Sequence, residues 1–202
     1  MILSDTSIKK YIKNEKIIVQ SEYGLEDIIS NISCASLDVR LWNNFKIFSK
    51  SDKVLDMYNN NSNIELKEIN IKDKDFITIQ PWEFLLWTTK ERFWIPDNIV
   101  ARVEWRSSIW RLWILVHSTA WFIDPWFWWD NPSTITLEIK NINTVPVKLK
   151  VGSRISQIAF ETMNQPAQVP YNKKKSAKYN WQIKAQVSKL DKDPDKNNES
   201  LL

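Results

Sequence analysis

Three short stretches hold most of the residues able to do chemistry. Glu104-Trp105-Arg106-Ser107-Ser108-Ile109-Trp110-Arg111-Leu112 sets two arginines around a pair of adjacent hydroxyls. Arginine offers planar forks to phosphate oxygens, serine adds short hydrogen bonds, and a neighbouring glycine would let the main chain approach an anion. A strand end with a surface arginine pair is the commoner meaning of any single Arg-Ser-Ser string. The second stretch, Val116 to Phe127, contains the only histidine, His117, and places Asp124 before Pro125. Asp124 can accept from a sugar hydroxyl or a base amine, or simply cap its turn. His117, among apolar neighbours, reads as a core or supporting group rather than a catalytic base. In the third, Ser133-Thr134-Ile135-Thr136-Leu137-Glu138-Ile139, a period of two puts Thr134, Thr136 and Glu138 on one face and the aliphatic residues on the other. Lining a cavity, Glu138 is a candidate general base. Facing water it is an ordinary exposed glutamate, the commoner case.

The elements that must position these residues are mostly short strands. Ser4-Asp5-Thr6-Ser7 ahead of an amphipathic turn predicts a helix near 5–14, and a second helical stretch covers Leu25–Asn31. From Leu37 onward the segments LDVRLW, KIFSK, NIELKEINI, FITIQ, EFLLWTT, IVARVEW, STITLEIKN, PVKLKV and RISQIAFETM alternate and end at Asn, Asp, Pro or Gly. That texture predicts an all-β sandwich or barrel rather than βαβ units. Tyr58 to Asn63 reads as a polar loop, and neither a repeat nor an internal domain boundary suggests itself.

Composition excludes several classes. A chain of 202 residues, 43% hydrophobic and 26% charged, is expected to form one globular domain. With one cysteine, Cys34, and one histidine, it has neither a disulfide framework nor the three His/Cys ligands a zinc deaminase needs. The N-terminus lacks the apolar core of a signal peptide, and the uncharged run Leu112–Ile123 is too short to span a bilayer, so a cytoplasmic protein without a membrane partner is expected. Residues 171–202 carry 8 Lys against 4 acidic residues, which equals the net +4 of the whole chain. The remainder is balanced and offers no broad basic face for nucleic acid. The tail is then either solvated and idle or a cationic flap over an anionic ligand.

Glycine and tryptophan are both anomalous. Glycine usually makes up roughly 7% of a chain, whereas this one has 2 Gly and 12 Trp. The tryptophans fall where turn residues belong: Pro81-Trp82-Glu83, Asp124-Pro125-Trp126, and Trp128-Trp129-Asp130-Asn131-Pro132. After proline, a type II turn needs positive φ and hence glycine. A Trp-rich core or aromatic surface does not explain those positions. A codon such as UGA, read as Trp in one code and Gly in another, explains them.

Taken in order, the motifs resemble the dCTP deaminase branch of the dUTPase-like superfamily. The similarity runs through Leu3-Ser4-Asp5, Ser36-Leu37-Asp38-Val39-Arg40-Leu41, Arg106-Ser107-Ser108-x-x-Arg111-Leu112, and His117-Ser118-Thr119-Ala120-x-Phe122-Ile123-Asp124-Pro125-x-Phe127. It continues through Ile135-Thr136-Leu137-Glu138, Ile155-x-Gln157, Pro170-Tyr171-Asn172 and Ala177-Lys178-Tyr179-x-x-Gln182, covering about residues 1–185. Where the family has Gly at 42, 82, 105, 113, 126 and commonly 121, this chain has Trp, and the stretch Trp128–Ser133 is a few residues longer than in many members of that family.

The resemblance implies a mainly β, distorted jelly roll or barrel with a few short helices. A single domain would span 1–185, with 171–185 as a C-terminal flap and 186–202 as a disordered tail. Three subunits would share active sites at their interfaces. Arg106, Ser107, Ser108 and Arg111, with Ile109 and Trp110 in the same turn, would bind the triphosphate together with its Mg²⁺. Asp124 would contact the nucleoside, and Thr136, Leu137 and Glu138 would line the base pocket. Gln157, Tyr171, Lys178 and Gln182 would close over the nucleotide. In the implied chemistry Glu138 activates water for attack on cytosine C4. Ser107, Arg111 and the main chain near Ala120 help position that water, and the Ala120-Trp121 region also bears on whether the site hydrolyses the triphosphate. The expected activity is conversion of dCTP to dUTP and ammonia. The alternatives are the bifunctional dUMP-forming reaction or a plain dUTPase, and dTTP is the implied feedback ligand.

Overall fold

Ser4 accepts the Ser7 N–H at 3.4 Å and starts the first helix, α1 (Asp5–Lys13), in which Asp5 lies in the first turn and Lys10 and Lys13 in the last. Those charges complement the helix dipole. Ile8 and Ile12, one turn apart, are its buried face. The computed structural model describes residues 1–58, 64–118, 121–127, 131–179 and 182–193. After α1 come β1 (Ile18–Gln20), α2 (Gly24–Ser30), β2 (Leu37–Phe48), β3 (Leu66–Asn70), β4 (Phe76–Ile79), β5 (Phe84–Thr89), β6 (Arg92–Trp94) and β7 (Ile99–Trp105). A one-turn helix, α3 (Ser107–Trp110), precedes β8 (Ile114–Leu115), β9 (Phe122–Ile123), β10 (Thr136–Asn141), β11 (Val147–Lys150) and β12 (Arg154–Thr162).

The strands form one large antiparallel sheet in the order β8-β10-β5-β2-β12-β7-β9, with β3 also paired to β2. Two small ladders, β1–β6 and β4–β11, complete a mainly β, distorted barrel. Leu37, Val39, Leu41, Phe45, Trp87 and Phe160 are at most 1% exposed and belong to its core. Among the described residues no helix is long and apolar enough to cross a membrane.

Register in β10 follows from burial. Leu137 and Ile139 are buried while Thr136, Glu138 and Lys140 are half-buried, as the period of two predicts. Slipping the strand by one residue would expose two aliphatic side chains, at about 1.5–3 kcal/mol each, and bury a carboxylate. Pairing with β5 therefore holds Glu138 opposite Leu86.

The segments LDVRLW and KIFSK, expected as two strands, are one. β2 runs unbroken through Trp42-Asn43-Asn44 because the buried Asn44 amide donates to Glu68 Oε1 at 2.8 Å and Asn70 Oδ1 at 2.9 Å on β3. Its register against β5 shifts between Leu41 and Phe45. The expected loop at 58–63 lies, apart from Tyr58, outside the described residues, as does the tail beyond 193.

Three tryptophans adopt left-handed backbone: Trp82 (φ 65°), Trp113 (φ 56°) and Trp126 (φ 56°). Such a conformation costs a non-glycine residue roughly 1–2 kcal/mol. An exposed cation–π contact returns at most about 0.5–1 kcal/mol, and Trp82 has such a contact with Lys140 at 5.5 Å. Strain exceeds the return.

Beneath the β2–β5 seam lies a buried ionic network. Arg40 donates to Asp27 Oδ1 at 2.7 Å and to Glu91 Oε1 at 2.9 Å, and its main-chain N–H donates to Glu91 Oε2 at 2.8 Å. Burial pushes the Glu91 carboxyl up to about 7 despite those donors. The folded state thus holds this proton more tightly than the unfolded chain, which releases it near 4.5. The stability tied to the protonated form is complete below pH 4.5 and lost as pH rises through about 7. Urea unfolding at several pH values is expected to show that decline, and Glu91→Gln to flatten it.

Candidate functional site

The Arg-Ser-Ser segment becomes α3 because Ile109 and Trp110 N–H groups donate back to the Arg106 carbonyl at 2.9 and 3.0 Å, and Arg111 N–H to Ser107 at 3.0 Å. Ser107, Ser108 and Arg111 are exposed, while Ile109 and Trp110 are half-buried. The turn is tied to β10 at its far end. Ile142 N–H donates to the Trp113 carbonyl at 2.9 Å, Asn143 Nδ2 donates to the Leu112 carbonyl at 3.1 Å, and β8 pairs Leu115 with Lys140. The fully buried Asn141 fixes that corner. Its amide donates to Ile79 and Val145 carbonyls at 2.9 and 3.0 Å, and its oxygen accepts the Asn143 N–H at 2.8 Å. The hydroxyl-and-arginine turn and the Glu138 strand are thus mechanically one unit.

Glu138 is half-buried, and Ser118 N–H donates to its Oε2 at 3.3 Å while Ser118 Oγ donates to the Glu138 carbonyl at 3.3 Å. The preceding residue, His117, stacks on Trp105 at 5.2 Å, and Trp105 stacks on Trp110 at 4.9 Å. A chain of contacts therefore runs from the residue before Arg106, through His117 and Ser118, to the carboxylate. Burial lowers the His117 pKa from its ordinary value and keeps the ring neutral, which suits a supporting role.

Arg106 is oriented from the neighbouring strands. Asp38 Oδ1 lies 3.2 Å from Arg106 Nε, Asp38 Oδ2 lies 3.4 Å from Arg154, and Arg106 donates to the Arg154 carbonyl at 2.9 Å. Gln157 accepts from Ser36 Oγ at 2.7 Å and donates to the Trp105 carbonyl at 3.0 Å, so it belongs to the Arg106 cluster.

The other expected site residues form two separate groups. Gln182 lies over the start of β10: its amide donates to the Thr134 carbonyl at 2.7 Å, and its side-chain oxygen accepts from Thr136 Oγ1 at 3.3 Å. Asp124 is engaged by Lys174 at 2.9 Å. Nearby, Tyr171 packs edge-on against Phe127 at 4.6 Å and its hydroxyl accepts the Lys178 and Tyr179 N–H groups at 3.3 and 3.2 Å. The Lys178 ammonium is paired with Asp193, whose hydrogen bond raises its pKa. Leu137 is buried in the core, so only its main chain faces any site on that strand. Trp121 is exposed and its carbonyl accepts from Val103 N–H at 2.8 Å. Ala120 and the segment 128–130 lie outside the described residues.

A cavity of about 520 Å³ opens elsewhere, lined by Trp42, Lys90, Arg92, Thr134 and Ile183 among others, and by none of the expected site residues. Volume alone is a poor guide here, because neither the Glu138 carboxylate nor the Arg106–Arg111 turn lines this cavity. Asp38, Ser118, Asn143 and Arg154 organise the site but are not singled out for chemistry by sequence. Only the charges alternating with Leu37, Val39 and Leu41 hint at Asp38 and Arg40. Removing the Asp38 charge leaves two arginines facing each other, so Asp38→Asn is expected to cost about 1–3 kcal/mol in urea unfolding.

Comparison with known proteins follows this geometry. A family model described as dCTP deaminase-like matches residues 2–163. The chain is 41% identical over 194 residues to "dCTP deaminase, dUMP-forming" of Dictyoglomus turgidum, covering 96% of each chain. It is 43% identical over 205 residues to the protein of the same name from Methanosphaera stadtmanae, again covering 96% of each. The crystal structure of 2′-deoxycytidine 5′-triphosphate deaminase from Agrobacterium tumefaciens has the same fold. It superposes with a TM-score of 0.58 at 24% identity, over 80% of this chain and about half (47%) of that one. With a match over most of its length and relatives above 40% identity, the chain belongs to the dCTP deaminase-like family.

Proposed function

We propose that the protein hydrolyses the exocyclic amine of dCTP, with Glu138 as general base. The observation that carries this reading is the half-buried Glu138 carboxylate, with Ser118 N–H on Oε2, on β10, which pairs two residues further on with β8, the strand that follows the Ser107–Arg111 turn. Glu138 takes a proton from water as the oxygen bonds to C4 of cytosine. The carboxyl passes that proton to ring N3, then takes the proton of the new C4 hydroxyl and delivers it to the amino group. The C4–N bond breaks, ammonia leaves and the C4 carbonyl forms. Donors fixed before the reaction stabilise the tetrahedral intermediate, the part assigned to Ser107 and Arg111.

Arg106, Ser107, Ser108 and Arg111 take the triphosphate, with Mg²⁺ carried on its oxygens as part of the substrate. Ile109 and Trp110 lie in the same turn, Thr136 to Glu138 line the base pocket, and Asp124 contacts the nucleoside. Gln157 joins the arginine cluster. Residues 171–185, including Tyr171, Lys178 and Gln182, serve as the flap of a domain spanning 1–185. Main-chain groups at Ala120 and Trp121 govern the later phosphate chemistry, and dTTP is the regulatory ligand. The exposed Ser107, Ser108 and Arg111, with Leu112 45% and Phe122 53% exposed nearby, suit a site finished by other subunits of a homotrimer. A cytoplasmic location accords with this role.

A second reading extends the first. The relatives from Dictyoglomus turgidum and Methanosphaera stadtmanae, 41% and 43% identical, are named dUMP-forming, which favours release of dUMP and diphosphate over release of dUTP. Incubation with dCTP and Mg²⁺ is expected to give ammonia and pyrophosphate in equal amounts; ammonia alone would assign dUTP as product. Glu138→Gln is expected to lose ammonia release by a factor of about 10²–10⁴ while still binding dCTP. Normal turnover by that variant would remove Glu138 from the chemistry.

A further inference from the structure

We propose that the functional chain carries glycine, not tryptophan, at positions 82, 113 and 126, these tryptophans being one genetic code's reading of a codon that the source cell decodes as glycine. The backbone carries the argument. The chain's two glycines, Gly24 and Gly152, have φ of 81° and 82°, and Trp82, Trp113 and Trp126 occupy the same left-handed region at 65°, 56° and 56°. Trp82 is the third residue of a turn closed by Glu83 N–H to the Gln80 carbonyl at 3.1 Å, after Pro81. Trp126 is the third residue of a turn closed by Phe127 N–H to the Asp124 carbonyl at 3.3 Å, after Pro125. That position of a Pro-led turn with positive φ is the one glycine fills without strain. Trp113 ends the turn that follows α3 and reverses the chain into β8, a left-handed position also favourable to glycine.

The side-chain contacts return less than the strain costs, as with Trp113, which lies tilted against Trp110 at 5.9 Å. Trp82 is 66% and Trp113 55% exposed. Trp82 and Trp126 each meet one lysine at 5.5 Å. Trp87 shows the contrast: fully buried against Phe45 at 5.2 Å, it sits where bulk is needed.

Two of the three turns hold candidate site residues, Arg111 before Trp113 and Asp124 before Trp126, so the substitution bears directly on the site. The same codon reading at 105 and 110 would remove the indole stack lying on His117 and bare the main chain around the Ser107–Arg111 turn.

Two measurements test this without reference to catalysis. Tryptic peptides of the protein purified from its source cells are expected to have masses requiring glycine at 82, 113 and 126; masses requiring tryptophan there overturn the proposal. Independently, the chain as written is compared with triple variants carrying Gly or Ala at these positions. Both variants lose the indoles, but only glycine relieves the left-handed backbone. The Gly variant is expected to melt about 6 °C or more above both the Ala variant and the Trp chain. A Gly variant no more stable than the Ala variant contradicts the backbone argument.

Discussion

The antiparallel seam β5–β10–β8 is the constraint on which the rest depends. β10 buries Leu137 and Ile139 and thereby turns Thr136 and Glu138 to the opposite face. β5 fixes its register on one side, and on the other it pairs with β8, the strand that emerges from the arginine and serine turn. The Glu138 strand and the Arg106–Arg111 turn, separated by some thirty residues of loop-rich chain, are tied together because two short ladders share β10. Asn141, with every amide proton and its oxygen paired, locks the corner where those ladders meet.

Electrostatics in the barrel are divided between stability and chemistry. The Arg40–Asp27–Glu91 cluster is buried and hydrogen-bonded, and the desolvation of its charges offsets much of their mutual attraction. Asp38 serves a different end. It neutralises Arg106 and Arg154 together, keeping Arg106 extended beside the α3 turn. In the C-terminal segment, Lys174 and Lys178 are both paired with acids, Asp124 and Asp193. Both pairs would have to open before these lysines could meet another anion, and salt weakens such partly exposed pairs.

Local chemistry made much of this legible in the sequence. Ser4 as a cap, the alternation in Thr136–Ile139, and proline before Trp82 and Trp126 each act over a few residues, and each gave the element or turn observed. What escaped depends on distant partners. β2 continues through two asparagines only because β3 receives the Asn44 amide, and β1, β6, β8 and β9 are too short to announce themselves by period. Ser118 became a ligand of Glu138 through a loop closure that no local pattern encodes. The family resemblance pointed to Arg106, Gln157 and Glu138, which the structure ties into the Asp38 and Ser118 contacts, where spacing alone left Arg106 and Glu138 as ordinary surface residues. It did not foresee that Asp124 is held by a lysine or that Gln182 bonds the first residues of β10.

A crystal structure of the Glu138→Gln variant with dCTP tests the central claim most directly. The account predicts cytosine C4 within one water molecule's reach of the side chain at 138, with the triphosphate on the Arg106–Arg111 turn. A base seated away from β10, or a triphosphate bound elsewhere on the barrel, would contradict it.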